Sequence, residues 1–255
     1  MRIRIASSAN GRPSSSYQYL TTIIVNETVA VDAGSLGFLA DIDLQRRIEH
    51  VLLSHSHLDH LASLPMFLEN VYTPDDRCVT VHASDHVRET LRSHVFNDAL
   101  WPDFIRLSRE IDPFLALQPL EARKTVDLGD LRVTPIPVDH IVPTFGFILD
   151  DGAASVVIAT DTAPTREIWE VAATRKNLRA VFLGCAFPAA CSALANAAKH
   201  LTPPLFAAET AKVAGDVPFY VVHVKGFCHR QVLAEIQALG IPRIKTIESG
   251  REYAI

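Results

Sequence analysis

One stretch of sequence decides the fold of this chain: Ser54-His55-Ser56-His57-Leu58-Asp59-His60. It directly follows the apolar run Val51–Leu53, which is typical of a buried strand. In α/β proteins chemistry gathers beyond the carboxyl ends of such strands. Three imidazoles and one carboxylate fall within six residues, and these groups bind zinc, iron and nickel. Four donors so close together would crowd a single ion, so the spacing favours two neighbouring ions.

Three further candidate ligands share one placement, just past the end of an apolar strand. They are His140 after Leu131–Val138, Asp161 after Val156–Ala159, and His223 after Phe219–Val222. If these strands and Val51–Ser54 end at one sheet edge, all the donors converge there. A pair of ions bridged by one carboxylate is then the natural arrangement.

Length and composition indicate a folded protein with no general affinity for polyanions. The chain has 255 residues, 48% of them hydrophobic, and a formal net charge of −5. This length suits one large domain, and the hydrophobic content supports a sizeable core. The acidic balance offers no broad attraction to nucleic acid or anionic lipid. We therefore expect a single domain over residues 1–255 and no long nucleic acid as a partner.

The chain carries no visible signal for export or membrane insertion. Arg2 and Arg4 interrupt the N-terminal apolar segment, and no apolar run approaches membrane-spanning length. Four cysteines are scattered without a C-x-x-C pair: Cys78, Cys185, Cys191 and Cys228. Reduced thiols in a cytoplasmic protein are the simplest interpretation.

The order of the predicted elements indicates an α/β fold. The first half of the chain is rich in strands, whereas the second half alternates strands and helices. A helix is predicted over Leu36–Ile48, and another from the Thr202-Pro203 start to a stop at Gly215. Residues 94–120 form the least regular segment and are interpreted as an insert. One domain of two sheet halves with helices outside fits this pattern.

The motif His55–His60 resembles the H-x-H-x-D-H signature of the metallo-β-lactamase fold. The resemblance implies an αββα sandwich, with two mixed β-sheets, helices on the outer faces and a two-metal site. It assigns His55, His57 and His140 to one ion, Asp59, His60 and His223 to the second, and Asp161 to a bridge between them. Asp32, in an Asp-x-Gly turn, matches a residue that supports the site in that fold.

Further segments are similar to class II cyclic-nucleotide phosphodiesterases. They are His57–Leu64, the loop 94–104 with its Trp-Pro-x-Phe pattern, Lys199–Pro203, His223-x-Lys225 and Gly250-x-x-Tyr253. The chain departs from the family pattern at Ser7–Gly11, Cys185, Lys199 and Gly226. Glycine is common in the family at position 199, and proline at position 226.

This resemblance implies hydrolysis of 3′,5′-cyclic nucleotides, such as cyclic AMP, to 5′-nucleotides by a metal-bridging hydroxide. Two divalent ions are implied, zinc first, with manganese or iron as alternatives. Asp59 would orient the hydroxide as well as touch an ion. His200 would donate a proton to the leaving O3′ atom, because related families place a histidine there.

The substrate side of the site is assigned to four residues: Asn97, Trp101, His94 and Lys225. Trp101 would stack on a purine, or would instead pack in the core or in a dimer contact. Lys225 would bind a phosphate oxygen or remain solvated. The expected partner is a small-molecule cyclic nucleotide. The resemblance also allows a homodimer with the 94–120 segment as its contact.

Three other functions remain open from the sequence. A tRNA 3′-processing endonuclease would share the ligands and a histidine in the His200 segment, but no long basic arm is present. A hydrolase of the same fold would act on a lactone, a thioester or a β-lactam. A degenerate metallo-fold would serve as a binding module without catalysis, although the complete ligand set argues against it.

Overall fold

The computed structural model describes residues 1–8, 18–74 and 77–255 of the chain. These residues form two compact units. The first contains residues 1–8, 20–74, 77–121 and 250–254, and the second contains 18–19, 122–249 and 255. Part of the family departure at Ser7–Gly11 lies outside the described residues. The expectation of one domain over residues 1–255 stays a prediction.

The first unit is built on a mixed sheet of seven strands. The strands are β1 (Arg2–Ile5), β2 (Ile23–Val25), β3 (Val29–Val31), β4 (His50–Leu52), β5 (Val79–Ala83), β6 (Leu115–Pro119) and β14 (Glu252–Ala254), in the order β14-β1-β2-β3-β4-β5-β6. Neighbours from β14 to β3 are antiparallel, and those from β3 to β6 are parallel. The loops after β3 and β4 therefore leave the same edge of this sheet.

Five α-helices belong to the first unit: α1 (Ile42–Arg47), α2 (Leu58–Leu61), α3 (Leu64–Val71), α4 (Asp85–Thr90) and α5 (Phe104–Glu110). Helices α1, α4 and α5 each start at a capping residue whose side-chain oxygen accepts a backbone N–H of the first turn. These capping residues are Asp41, Ser84 and Asp103. The buried side chains of these helices join the apolar face of the sheet in one core, in which Phe67 and Val51 are fully buried.

Two sequence expectations about this unit are wrong in detail. The helix predicted over Leu36–Ile48 is split into a 3₁₀ turn, Leu36–Phe38, and helix α1, because the Asp41 carboxylate accepts from Leu44 N and starts a new helix. The segment 94–120 is more regular than expected. It contains α5 and β6, whose hydrogen bonds to β5 give it a place in the sheet.

The second unit is built on another mixed sheet of seven strands. The strands are β7 (Val126–Leu128), β8 (Leu131–Val138), β9 (Thr144–Asp150), β10 (Ser155–Ala159), β11 (Leu178–Gly184), β12 (Phe219–Val222) and β13 (Ile244–Thr246), in the order β13-β12-β11-β10-β9-β8-β7. Neighbours from β13 to β10 are parallel, and those from β10 to β7 are antiparallel. Since β9 runs against both β8 and β10, strands β8, β10 and β12 point the same way.

The helices of the second unit are α6 (Glu167–Ala172), α7 (Ser192–Ala197), α8 (Pro203–Thr210) and α9 (His229–Ala238). Pro203 lies in the first turn of α8, where its missing N–H costs nothing. The predicted stop at Gly215 is wrong, because α8 ends at Thr210 and Gly215 takes a positive φ of 77° further on. Trp169 and Phe206 from these helices join a core that covers strands β10 to β12.

The ligand-bearing strands do not share one sheet, contrary to the arrangement considered from the sequence. Strand β4 lies in the first sheet, whereas β8, β10 and β12 lie in the second. The two mixed sheets with helices that the sequence predicted are both present. Among the described residues, no helix combines the length and the apolar character needed to cross a bilayer. The four cysteines are free thiols, and the cytoplasmic location inferred from them stays a prediction.

A pair of histidines on adjacent strands should make the first unit sensitive to acid. His82 Nε2 lies 3.2 Å from His50 Nδ1, and His82 is only 5% exposed. Burial, and then the neighbouring His50, lower the pKa of His82 from 6.5 to about 4. The folded state thus favours the neutral ring. Its contribution to stability is complete above pH 6.5 and declines as the pH falls towards 4.

We expect the free energy of unfolding to fall by about 1–2 kcal/mol between pH 7 and pH 5 because of His82. Urea unfolding of metal-stripped protein across this range measures the change. His82→Gln is the control variant and should show a flatter pH dependence. Parallel curves for the two proteins would contradict the prediction.

Candidate metal centre

Three imidazoles lie close together in the loop that follows β4 in the first unit. The His55 ring centroid is 4.6 Å from that of His57 and 4.2 Å from that of His60. His55 and His60 are fully buried, whereas His57 and Asp59 are half-buried. Helix α2 starts directly after His57, so a single turn carries both Asp59 and His60. The six-residue motif thus presents all its donors within one loop and one helical turn.

Asp32 orients two of these imidazoles from the end of β3. Its carboxylate accepts hydrogen bonds from Ser54 N at 2.8 Å, Ser54 Oγ at 2.9 Å and His60 Nδ1 at 2.7 Å. Because the Ser54 hydroxyl donates its one hydrogen to Asp32, its oxygen accepts from His55 Nδ1 at 2.9 Å. Both imidazoles therefore carry their proton on Nδ1 and offer Nε2 as a metal ligand. The supporting role expected for Asp32 agrees with this geometry.

The backbone at Asp32 is held in a conformation that a non-glycine residue seldom adopts. Its φ is +61°, in the left-handed region. Such strain costs about 1–3 kcal/mol and persists only where the surroundings enforce it. The backbone N–H of Asp32 donates to Leu52 O at 2.8 Å, which ties the residue to β4. This backbone conformation thus directs the Asp32 carboxylate towards Ser54 and His60.

Asp161 is the centre of the donor group in the second unit. Its carboxylate oxygens lie 3.1 Å from His223 Nε2, 3.6 Å from His140 Nε2 and 4.0 Å from His200 Nε2. All four residues are buried. The ligand atoms of Asp161, His200 and His223 lie within 4.8 Å of one another. Because β8, β10 and β12 point the same way, His140, Asp161 and His223 leave the same edge of the sheet.

Backbone contacts fix the two outer imidazoles of this group. His140 Nδ1 lies 3.1 Å from the carbonyl oxygen of Lys199 and donates to it, and its Nε2 faces Asp161. His223 has a positive φ of 58°, and its backbone N–H donates to Gln18 Oε1 at 3.0 Å. The first contact orients the His140 ring, and the second fixes the backbone that carries the His223 side chain.

The residues present fit a metal site in their chemistry. The donors include the imidazoles of His55, His60 and His140, each hydrogen-bonded through Nδ1, together with the buried Asp161 carboxylate, which is the pattern of ligands for zinc and similar ions. A buried carboxylate among several imidazoles also needs a cation to balance its desolvation. The described His and Asp clusters are therefore suited to hold divalent metal.

Two predicted residues outside the ligand set are brought to the donors of the second unit. The His200 ring lies 5.1 Å from that of His140 and 5.7 Å from that of His223, to which it is nearly parallel. The Lys225 ammonium lies 2.8 Å from His223 Nε2. An imidazole and an ammonium thus stand beside the imidazole of His223.

The other predicted substrate contacts have local roles in the structure. The Asn97 side chain donates to Ser93 O and accepts from the N–H groups of Ala99 and Leu100, so it closes its own loop. Trp101 is half-buried, packs on the core of the first unit and meets Phe104 edge-on at 6.4 Å. This is the packing alternative considered for Trp101. His94 is exposed on a π-helical turn, Leu91–Val95. Substrate contact by these residues stays a prediction.

Two supporting residues could not be found by sequence reasoning. Gln18 lies 205 residues from His223 in sequence, and no local pattern marks it. For Lys199, the sequence shows only that lysine stands where glycine is common in the family. Its φ of +52° explains why glycine is common there, and its ammonium pairs with Asp139 at 2.6 Å. This ion pair thus links the two chain segments that directly precede His200 and His140.

The other two departures also have structural explanations. Cys185 is fully buried after β11, and burial raises the pKa of its thiol far above the usual range. It therefore behaves as a small apolar residue. A Cβ atom at Gly226 would lie 2.7 Å from Cε1 of Tyr19, so a larger residue would displace this ring.

Loss of the Gln18 acceptor should destabilise the second unit. We expect Gln18→Ala to lower the free energy of unfolding by about 1–3 kcal/mol, because the buried His223 N–H loses its hydrogen bond and its positive φ loses a constraint. Denaturant unfolding of metal-stripped protein measures this change. Gln231→Ala, at an exposed position on α9, is the control and should stay within about 0.5 kcal/mol of the parent. Equal effects of the two substitutions would show that the contact is dispensable.

Comparison with known proteins places the chain in a family. A model described as the β-lactamase superfamily domain matches residues 35–224. The chain is 29% identical over 89 residues to 3′,5′-cyclic-nucleotide phosphodiesterase 1 of Saccharomyces cerevisiae, an alignment that covers 34% of this chain and 24% of that protein. It is 26% identical over 150 residues to the endoribonuclease ysh-1 of Neurospora crassa, covering 53% of this chain and 17% of that protein. The matches thus span about a quarter or less of these curated relatives.

The fold is similar to that of unliganded yeast PDE1, with a TM-score of 0.79 at 17% sequence identity over 100% of this chain and 99% of that one. Together with the two mixed sheets, this likeness confirms the predicted fold class, the αββα type of the metallo-β-lactamases. The family model covers most of the chain and includes every proposed ligand from His55 to His223. The chain therefore belongs to the β-lactamase superfamily.

Proposed function

We propose that this protein is a metal-dependent phosphodiesterase that hydrolyses 3′,5′-cyclic nucleotides to 5′-nucleotides. One observation carries the proposal. His200 is buried beside Asp161 and His223 although it is not among the seven proposed ligands. An imidazole at this position suits protonation of a poor leaving group, such as the O3′ alkoxide of a cyclic phosphodiester.

In this proposal seven ligands would hold two divalent ions, zinc first, with manganese or iron as alternatives. His55, His57 and His140 would hold one ion, Asp59, His60 and His223 would hold the other, and Asp161 would be a ligand of both. Two such ions lower the pKa of coordinated water and neutralise charge on a phosphoryl group. The hydrogen bonds from Nδ1 of His55, His60 and His140 support these assignments, since each leaves Nε2 for coordination.

The remaining roles belong to side chains of the chain itself. Asp59 orients the attacking water through its half-buried carboxylate. His200 holds a proton on its imidazole and delivers it to O3′ as the bond to phosphorus breaks. Lys225, 2.8 Å from His223 Nε2, offers its ammonium to a phosphate oxygen. Together these groups place positive charge and a proton where negative charge develops.

The names of the relatives support this choice without deciding the substrate. Cyclic-nucleotide phosphodiesterases of two yeasts match at 29% and 30% identity over short alignments. The fungal endoribonuclease match is longer, which keeps RNA cleavage as the second candidate. A net charge of −5 favours a small substrate over a large polyanion. A homodimer stays a prediction alongside the proposed function.

The deciding experiment offers purified, metal-loaded protein several substrates side by side. Incubation of cyclic AMP with protein and Zn²⁺ or Mn²⁺ should release 5′-AMP, separated from 3′-AMP by chromatography. Precursor tRNA, and a small set of lactones, thioesters and β-lactams, should remain largely intact. Cleavage of the tRNA with no release of 5′-AMP would favour the second candidate. Turnover of the lactones, thioesters or β-lactams alone would refute both phosphodiesterase functions.

A further inference from the structure

An exposed aromatic side chain lies near His200, the proposed proton donor, in the second unit. Phe227 lies in a 3₁₀ turn, Gly226–Cys228, and is 75% exposed. A single exposed apolar side chain is common on protein surfaces, so the meaning of Phe227 depends on what surrounds it. Phe227 directly follows the segment that carries His223 and Lys225.

A second aromatic residue connects Phe227 to His200. The Phe187 ring lies 6.2 Å from that of Phe227 and 5.5 Å from that of His200, which it meets nearly edge-on. Phe187 is itself buried, and the neighbouring Ala186 donates its N–H to Leu201 O at 3.1 Å. Phe227 is thus held one ring away from the proposed proton donor.

Tyr19 flanks the same turn from its other side. The glycine at position 226 leaves room for the Tyr19 ring, because a Cβ atom there would lie 2.7 Å from Tyr19 Cε1. Tyr19 is 56% exposed. Two exposed rings therefore border one turn, and the space for Tyr19 comes from the residue at which this chain departs from the family pattern.

We propose that Phe227, with Tyr19 beside it, is the surface on which the base of the nucleotide stacks. The inference rests on the proposed function. Phe227 lies one ring from His200 through Phe187 and two residues after Lys225, so its exposed face adjoins the two side chains proposed to act on the phosphoryl group. Stacking on a side-chain ring is tolerant of base identity, so the surface selects nucleotides as a class. Trp101, for which stacking and packing were both considered from the sequence, packs on the core of the first unit, and its contact with substrate stays a prediction.

Binding of two ligands, one with the base and one without it, tests this assignment. The affinities of metal-loaded protein for 5′-AMP and ribose 5-phosphate are measured by calorimetry. The parent protein should bind 5′-AMP about tenfold more tightly, since stacking supplies an energy of this size. Phe227→Ala should abolish the preference and leave ribose 5-phosphate binding unchanged. Phe227→Trp should retain the preference.

Ile111→Ala is the matched control, because Ile111 is 72% exposed at the end of α5 in the first unit. This variant should bind 5′-AMP and ribose 5-phosphate as the parent protein does. No preference for 5′-AMP in the parent protein, or an equal preference in Phe227→Ala, would overturn the inference. A preference lost in Phe227→Ala without any hydrolysis of cyclic AMP would refute the proposed function and leave the base site standing.

Discussion

Asp161→Asn is expected to reduce the hydrolysis of cyclic AMP by at least about 1,000-fold and to lower the bound metal. Substitution of residues that merely support metal ligands costs about 10- to 100-fold, and a proposed direct ligand must cost more. Asp161 is 1% exposed, and its oxygens lie within 4.0 Å of three imidazoles. Asparagine keeps the shape but removes the one negative charge of this group.

Two measurements together identify the cause of this loss. The value of kcat/KM for cyclic AMP gives the activity, and elemental analysis of dialysed protein gives the metal content. Asp216→Asn, at an exposed position, is the control and should change neither. Unchanged metal content with lost activity would remove Asp161 from the ligand set. Unchanged activity would exclude it from the site.

His200→Ala is expected to reduce kcat for cyclic AMP by about 10²- to 10⁴-fold while metal content stays constant. The imidazole is proposed to protonate a leaving alkoxide, which departs poorly without a proton. A p-nitrophenolate leaving group needs no such help. Hydrolysis of bis(p-nitrophenyl) phosphate should therefore fall much less, and the ratio of the two losses measures the proton transfer.

The same pair of substrates separates catalysis from support of the site. His200 is only 7% exposed and packs beside His140 and Phe187, so its removal also leaves a gap. A gap that disturbs the site would reduce both hydrolyses together. Equal losses for the two substrates would therefore contradict the role of His200 as a proton donor, whatever their size. His200→Gln, which fills more of the space, should reproduce the unequal losses.

Much of the local structure was predictable because local patterns reflect local forces. Alternating or continuous apolar runs marked β5, β8, β10 and β12, and Ser84 marked the start of α4. The expectation that residues 94–120 are irregular was wrong, because the order of this segment depends on distant contacts. Strand β6 is stabilised by its pairing with β5, and Phe104 and Ile105 of α5 join the core of the first unit, whose other members come from distant parts of the chain.

The sequence alone determined the donor types, their spacing and the fold family, because the six-residue motif His55–His60 is contiguous and its chemistry is local. Only the tertiary structure decided which nitrogen each histidine offers. That choice depends on Asp32 for His60 and on the Lys199 carbonyl for His140, partners brought near by sheet order. It also decided that Trp101 packs on the core while Phe227 is exposed. Burial and hydrogen-bond pairing depend on neighbours distant in the chain, and the pattern along a single segment does not contain them.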